Sequence, residues 1–104
     1  MFKTLITTAV LALGLTGLAQ AAGDAEAGKG KIAVCATCHG QDGVALMPVY
    51  PNLHGQNAPY LESALKAYRE GERGGGMSAV MTPMAANLTD EDIADIAAYF
   101  SSLK

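Results

Sequence analysis

The stretch Cys35-Ala36-Thr37-Cys38-His39 decides how this 104-residue chain is read. Two cysteines three positions apart on a helical turn face the same way, and a histidine follows at once. Cys-x-x-Cys-His is the pattern of covalent c-type haem attachment. Geometry supplies the reason: both thiols reach the two vinyl groups of one porphyrin, and the next residue projects its imidazole under the ring toward iron. The competing readings ask for residues the chain lacks. A structural zinc site needs four ligands, usually from two such pairs, and His54 is the one Cys or His left outside the motif. A redox dithiol belongs on a strand–helix unit, and no segment alternates as a strand does. A disulfide between Cys35 and Cys38 closes too small a loop to constrain the unfolded chain much.

The segment ahead of the motif supplies its setting. Residues 1–21, MFKTLITTAVLALGLTGLAQA, open with one cation, Lys3, run apolar from about 5 to 18, and end in Ala19-Gln20-Ala21. That order predicts a secretory signal peptide cut after Ala21, hence a periplasmic protein. The apolar run is short for a transmembrane span and carries Thr and Gly, so no membrane span is expected after cleavage. The remaining residues 22–104 form one domain of 83 residues. Lys3 is the one charged residue removed, so the net charge moves from −3 to −4. An acidic chain without a basic cluster argues against nucleic acid and anionic membrane surfaces as partners, and it permits a basic docking partner.

Helical patterns follow on both sides of the motif. Asp24 reads as the N-cap of a helix over about 25–34, although Gly28 and Gly30 inside it each cost about 1 kcal/mol against Ala. Leu61, Ala64, Leu65 and Tyr68 predict a helix over about 60–70, with Pro59 suited to its first turn and Gly71 stopping it. Thr89 followed by Asp90, Glu91 and Asp92 predicts a capped start. Ile93, Ile96, Ala97 and Phe100, with Tyr99 beside them, then mark one face of a helix over about 90–103. Residues 40–57 and 71–87 read as loops. Loops this long suit a compact helical domain only when they wrap a ligand.

Taken together, CATCHG at 35–40, YPNLHGQ at 50–56, YLESALKAYREGER at 60–73 and MTPMAANLTDEDIADIAAYF at 81–100 make a specific set. The chain resembles the small class I cytochromes c. It is most like the bacterial periplasmic type that also occurs as single domains of two-haem cytochromes c. The resemblance covers essentially all of residues 22–104. It implies an all-α class I cytochrome c fold, with three to four helices wrapped around one covalently bound haem c. It implies that the first and last helices cross, with Gly28 or Gly30 against Tyr99 or Phe100; spacing does not choose between the glycines. It implies that the Pro51 carbonyl accepts the His39 Nδ1 proton, which fixes the tautomer and raises ligand basicity.

Spacing leaves Met81 and Met84 open as the second axial ligand, with Met47 and Met77 more distant candidates. The family pattern places the ligand seven residues before the leucine ahead of the last helix cap. Counting back from Leu88 gives Met81, with Met84 in reserve. His54 matches a position that is not a ligand in related cytochromes. A thioether is soft and favours ferrous iron.

The resemblance implies a carrier of single electrons between a donor and an acceptor protein, not an enzyme. The same domain also serves as the cytochrome subunit of a larger oxidoreductase with a flavin or metal subunit. A gas or peroxide site would need an open iron. Arg69 and Arg73 read more simply as solvated ends of the middle helix than as partners of a haem propionate. Gln56 and Tyr60 have the same status.

Overall fold

Asp24 caps the first helix as its position predicts: its carboxylate accepts from the Glu26 N–H at 2.9 Å and the Ala27 N–H at 3.3 Å. The computed structural model describes residues 23–104. The leader expected over 1–21, its cut after Ala21, and Ala22 lie outside the described residues. Within them are five helices and no strand: α1 Ala25–Lys29, α2 Ala33–His39, α3 Ala58–Arg69, α4 Ser78–Ala85 and α5 Asp90–Ser102.

Two differences from the sequence reading stand out. The helix expected over 25–34 is two helices. The chain turns at Gly30, whose N–H returns to the Ala27 carbonyl at 3.2 Å, and Lys31 N–H returns to Gly28 at 2.9 Å. The turn drives Ile32 into the core, fully buried, and starts α2 in a new direction. The attachment motif therefore lies on α2, with Cys35 and Cys38 one turn apart. The second difference is α4, where a loop was expected. It carries Pro83 inside it and has no side-chain cap at Met77.

Helices α3 and α5 start as their sequences direct. Pro59 sits in the first turn of α3. Thr89 and Asp92 form a reciprocal capping box, with both bonds at 3.0 Å. The face read from the periodicity of α5 is the face that is buried: Ile93, Ile96, Ala97, Tyr99 and Phe100 all point inward. Tyr99 and Phe100 meet edge to face, ring centroids 5.2 Å apart. Phe100 is 1% exposed and packs among Ile32, Leu61 and Ile96. Phe100→Ala is expected to cost about 3–5 kcal/mol, read as a drop in the urea midpoint with an unchanged slope.

The α1–α5 crossing settles which glycine is needed. A Cβ on Gly28 would lie 2.0 Å from the Asp95 carbonyl oxygen and 2.9 Å from the Tyr99 Cβ, whereas one on Gly30 would meet nothing closer than 3.5 Å. An ionic lock beside the crossing joins the same helices. Asp95 is buried, and its carboxylate takes the Asp24 N–H at 2.8 Å and the Lys31 Nζ at 2.7 Å. Lys31 also reaches Asp92 at 3.0 Å.

Lys31 is the main cause holding the Asp95 carboxyl below the usual carboxylate range, with the Asp24 N–H next. A lowered folded value means stabilisation that is present above the unfolded value of about 3.9. It is lost as pH falls through the folded value. Asp95→Asn is therefore expected to lower the urea midpoint at pH 7 and to bring it toward wild type near pH 2. Equal gaps at both pH values would contradict the lock.

Candidate haem site

Helices α2, α3, α4 and α5 and the loop between α2 and α3 enclose one cavity of about 440 Å³, within the range typical of small-molecule sites. Its walls are mostly apolar, from Leu61 and Leu65 of α3 to Ile96 and Phe100 of α5. No described carboxylate lines it.

The α2 wall carries Cys35, Cys38 and His39. Both cysteines are free thiols and half-buried. Burial pushes the Cys35 thiol up. His39 is buried and its Nδ1 lies 2.8 Å from the Pro51 carbonyl oxygen. A carbonyl only accepts, so Nδ1 carries the proton and Nε2 keeps its lone pair. The loop that brings Pro51 there closes on Gly43, whose carbonyl takes the Leu53 and His54 N–H groups at 2.7 and 3.1 Å. Gly43 has φ +77°, and a Cβ there would sit 2.6 Å from the His54 nitrogen, so the closure needs glycine.

Three methionines also line the cavity: Met77 just before α4, then Met81 and Met84 on it. Their spacing of four and three places them on one face. Met81 is half-buried, while Met77 and Met84 are 49% and 47% exposed. Met47 is exposed and away from the cavity. His54 is also away from it, exposed, with Nδ1 donating to the Asp42 carbonyl at 2.8 Å. All six residues singled out in sequence (Cys35, Cys38, His39, Pro51, Met81 and Met84) thus border one space, and the other histidine does not.

These residues fit haem c. A thiol pair, an imidazole with a fixed lone pair and a thioether in one apolar cavity are a donor set suited to one covalently held iron porphyrin. Among the described residues no group of three or more His, Cys, Asp or Glu side chains gathers to hold a metal ion in another way. The sequence model of the family Cytochrome c matches residues 25–104.

The chain belongs to the cytochrome c family. Its haem c is covalently attached, and the domain is an electron carrier of the class I type. Cytochrome c-554(548) of Halomonas halodenitrificans is 67% identical over 81 residues, covering 78% of this chain and 98% of the relative. Cytochrome c4 of Stutzerimonas stutzeri is 48% identical over 110 residues, spanning the whole chain but 52% of the relative. The crystal structure of reduced recombinant cytochrome c4 from Pseudomonas stutzeri matches with a TM-score of 0.71 and 47% identity, over 80% of this chain and 47% of that one. The cytochrome domain here thus spans nearly all of the c-554(548) protein and about half of the cytochrome c4 chains.

Two cations, Lys31 and Arg73, line the cavity; the sequence did not single out Lys31, and it offered Arg73 more simply as a solvated helix end. Lys31 stands four residues before Cys35, a spacing that puts it one helical turn away, but the turn at Gly30 hid that. Arg73 lies beyond the end of α3, where no periodicity reaches.

Proposed function

We propose that the chain is exported, cut after Ala21, and works as residues 22–104 in the periplasm, carrying single electrons through a His/Met-ligated haem. Cys35 and Cys38 hold the haem as thioethers. His39 Nε2 and the Met81 sulfur would ligate the iron, and Pro51 would orient His39. The observation that carries this reading is the 2.8 Å contact between His39 Nδ1 and Pro51 in the cavity that Met81 also lines.

Bound haem supplies a one-electron couple between ferrous and ferric iron. The chain supplies the rest. The Pro51 carbonyl holds His39 in one tautomer and orientation, with Nε2 left free to ligate. Ile96, Phe100, Leu61 and Leu65 exclude water, which disfavours the extra positive charge of the ferric form. With iron ligands from this chain at both His39 and Met81, little ligand rearrangement would accompany transfer. Among the described residues no helix is long and apolar enough to cross a membrane. Docking to donor and acceptor then falls to small, transient contacts, and the net charge of −4 favours a basic partner face.

The expected protein is red, keeps its colour through acid–acetone extraction and titrates as a single reversible one-electron step. A double Cys35→Ala, Cys38→Ala variant is expected to lose the covalent haem entirely. Haem that stays through extraction in that variant would sink the assignment. A second reading has a specific observation behind it: a relative from Thiomonas intermedia bears the name thiosulfate dehydrogenase electron acceptor. In that reading the same domain is the cytochrome partner of an oxidoreductase. A native mass of one chain on a sizing column favours the free carrier, and a stable heteromer favours the subunit.

A further inference from the structure

The cavity wall holds two cations and no described carboxylate, and haem brings two carboxylates of its own. Lys31 is already engaged, by Asp95 at 2.7 Å and Asp92 at 3.0 Å. Arg69 is engaged too, with Asp90 at 2.8 Å, Glu70 at 2.9 Å and the Leu88 carbonyl at 3.2 Å, and it does not line the cavity. Arg73 is different. It makes no ion pair among the described residues, yet it stands on the cavity rim.

The rim also holds it in place. The Arg73 guanidinium lies 4.8 Å from the centroid of the Tyr68 ring, within cation–π range. Its Nη2 donates to the Tyr60 hydroxyl oxygen at 3.4 Å. Because that oxygen accepts from Arg73, the Tyr60 hydroxyl proton is free to point elsewhere. Tyr60, Tyr68 and Arg73 all line the cavity, and Arg73 and Tyr60 are also exposed at its mouth. Two hydrogen-bond donors, one of them cationic, thus converge on the wet end of an apolar pocket. A guanidinium fork suits a carboxylate, and such charge-assisted bonds are the stronger kind.

We propose that Arg73, together with the Tyr60 hydroxyl, holds a haem propionate at the mouth of the cavity. This rests on the haem reading above and adds a binding residue to it. The bond sets the direction of a redox effect. An unscreened propionate beside the ring favours ferric iron; a guanidinium on that propionate offsets it and favours ferrous. Arg73 is therefore a positioning residue that also tunes the iron from the rim.

The test uses the intact holoprotein and the variants Arg73→Gln, Arg73→Lys and Tyr60→Phe, each equilibrated with a redox mediator at pH 7. Arg73→Gln is expected to shift the ferrous/ferric ratio threefold to tenfold toward ferric, where tenfold is 59 mV for one electron. Arg73→Lys should restore most of the ratio, and Tyr60→Phe should shift it the same way by less. In reduced-minus-oxidised infrared spectra of protein carrying ¹³C-propionate haem, the labelled carboxylate band should move in Arg73→Gln and not in Arg73→Lys. A purely structural role for Arg73 would leave that band in place. A red protein with its methionine–iron band intact, whose ratio and propionate band ignore Arg73→Gln, overturns this proposal alone. A wild-type protein that lacks covalent haem overturns the haem reading and this proposal together.

Discussion

Met81→Ala is expected to abolish the far-red charge-transfer band between methionine sulfur and ferric iron, while Met77→Ala and Met84→Ala keep it. All three side chains line the cavity on one face of the α4 region, so proximity alone does not rank them. Burial does: Met81 is half-buried, and its neighbours are each about half exposed. A neutral, soft thioether in a dry pocket raises the reduction potential relative to harder donors. Losing it should therefore shift the redox equilibrium toward ferric as well as erase the band. The vacated position should let ferrous iron bind carbon monoxide at neutral pH, and the wild type is expected not to. Loss of the band in Met84→Ala instead would move the ligand by one turn and keep the fold.

The second large effect is on stability. Gly28→Val is expected to prevent stable folding at 37 °C. The first added atom would fall 2.0 Å from the Asp95 carbonyl oxygen, and that atom is backbone inside a helix, which cannot swing aside as a side-chain tip does. Overpacking of a well-filled site costs about 1–3 kcal/mol. Here α1 must also lift off α5, which breaks the Asp24–Asp95 and Lys31–Asp95 bonds beside it. Whole-domain stability is only about 5–15 kcal/mol. Gly30→Ala is the control. Its φ of −76° is open to any residue and its surroundings are roomy, so it should stabilise by about 0.4–1 kcal/mol. Thermal melts of the two variants side by side check both; equal melting temperatures would refute the close-approach account.

What was legible in the sequence follows physical lines. α3 and α5 were readable because each has one apolar stripe and a clear start: Pro59 in one case, Thr89 with Asp92 in the other. α4 was not. Ala79, Val80, Met81, Met84 and Ala85 put apolar groups all around it, so no stripe shows, and Pro83 with the preceding glycines reads as a break. The covalent motif was legible because its members lie within five consecutive residues, whereas the Pro51 contact was expected only through the family resemblance. Nothing in the local sequence sets Asp95 apart from the other acids of α5. Its partners, Lys31 and Asp24, are 64 and 71 residues away in sequence, and no local pattern carries that information. The choice of Gly28 over Gly30 failed to appear for the same reason, since it depends on a carbonyl at position 95.

The two walls of the cavity are built to different standards. The His39 side is pinned by its Pro51 hydrogen bond and by the loop closure on Gly43. The Met81 side hangs on α4, a helix of eight residues with proline in its third-last position and no side-chain cap. It is reached through Gly75 and Gly76, both at positive φ. Proline removes one rung of its backbone ladder, so little within α4 itself resists opening. Local unfolding free energies are lowest where internal support is least. The domain is therefore divided into a stiff half and a compliant half, with the cofactor as the tie between them. If Met81 ligates the iron as proposed, a weaker iron–sulfur bond would be expected to favour opening of α4 before the α1–α5 crossing.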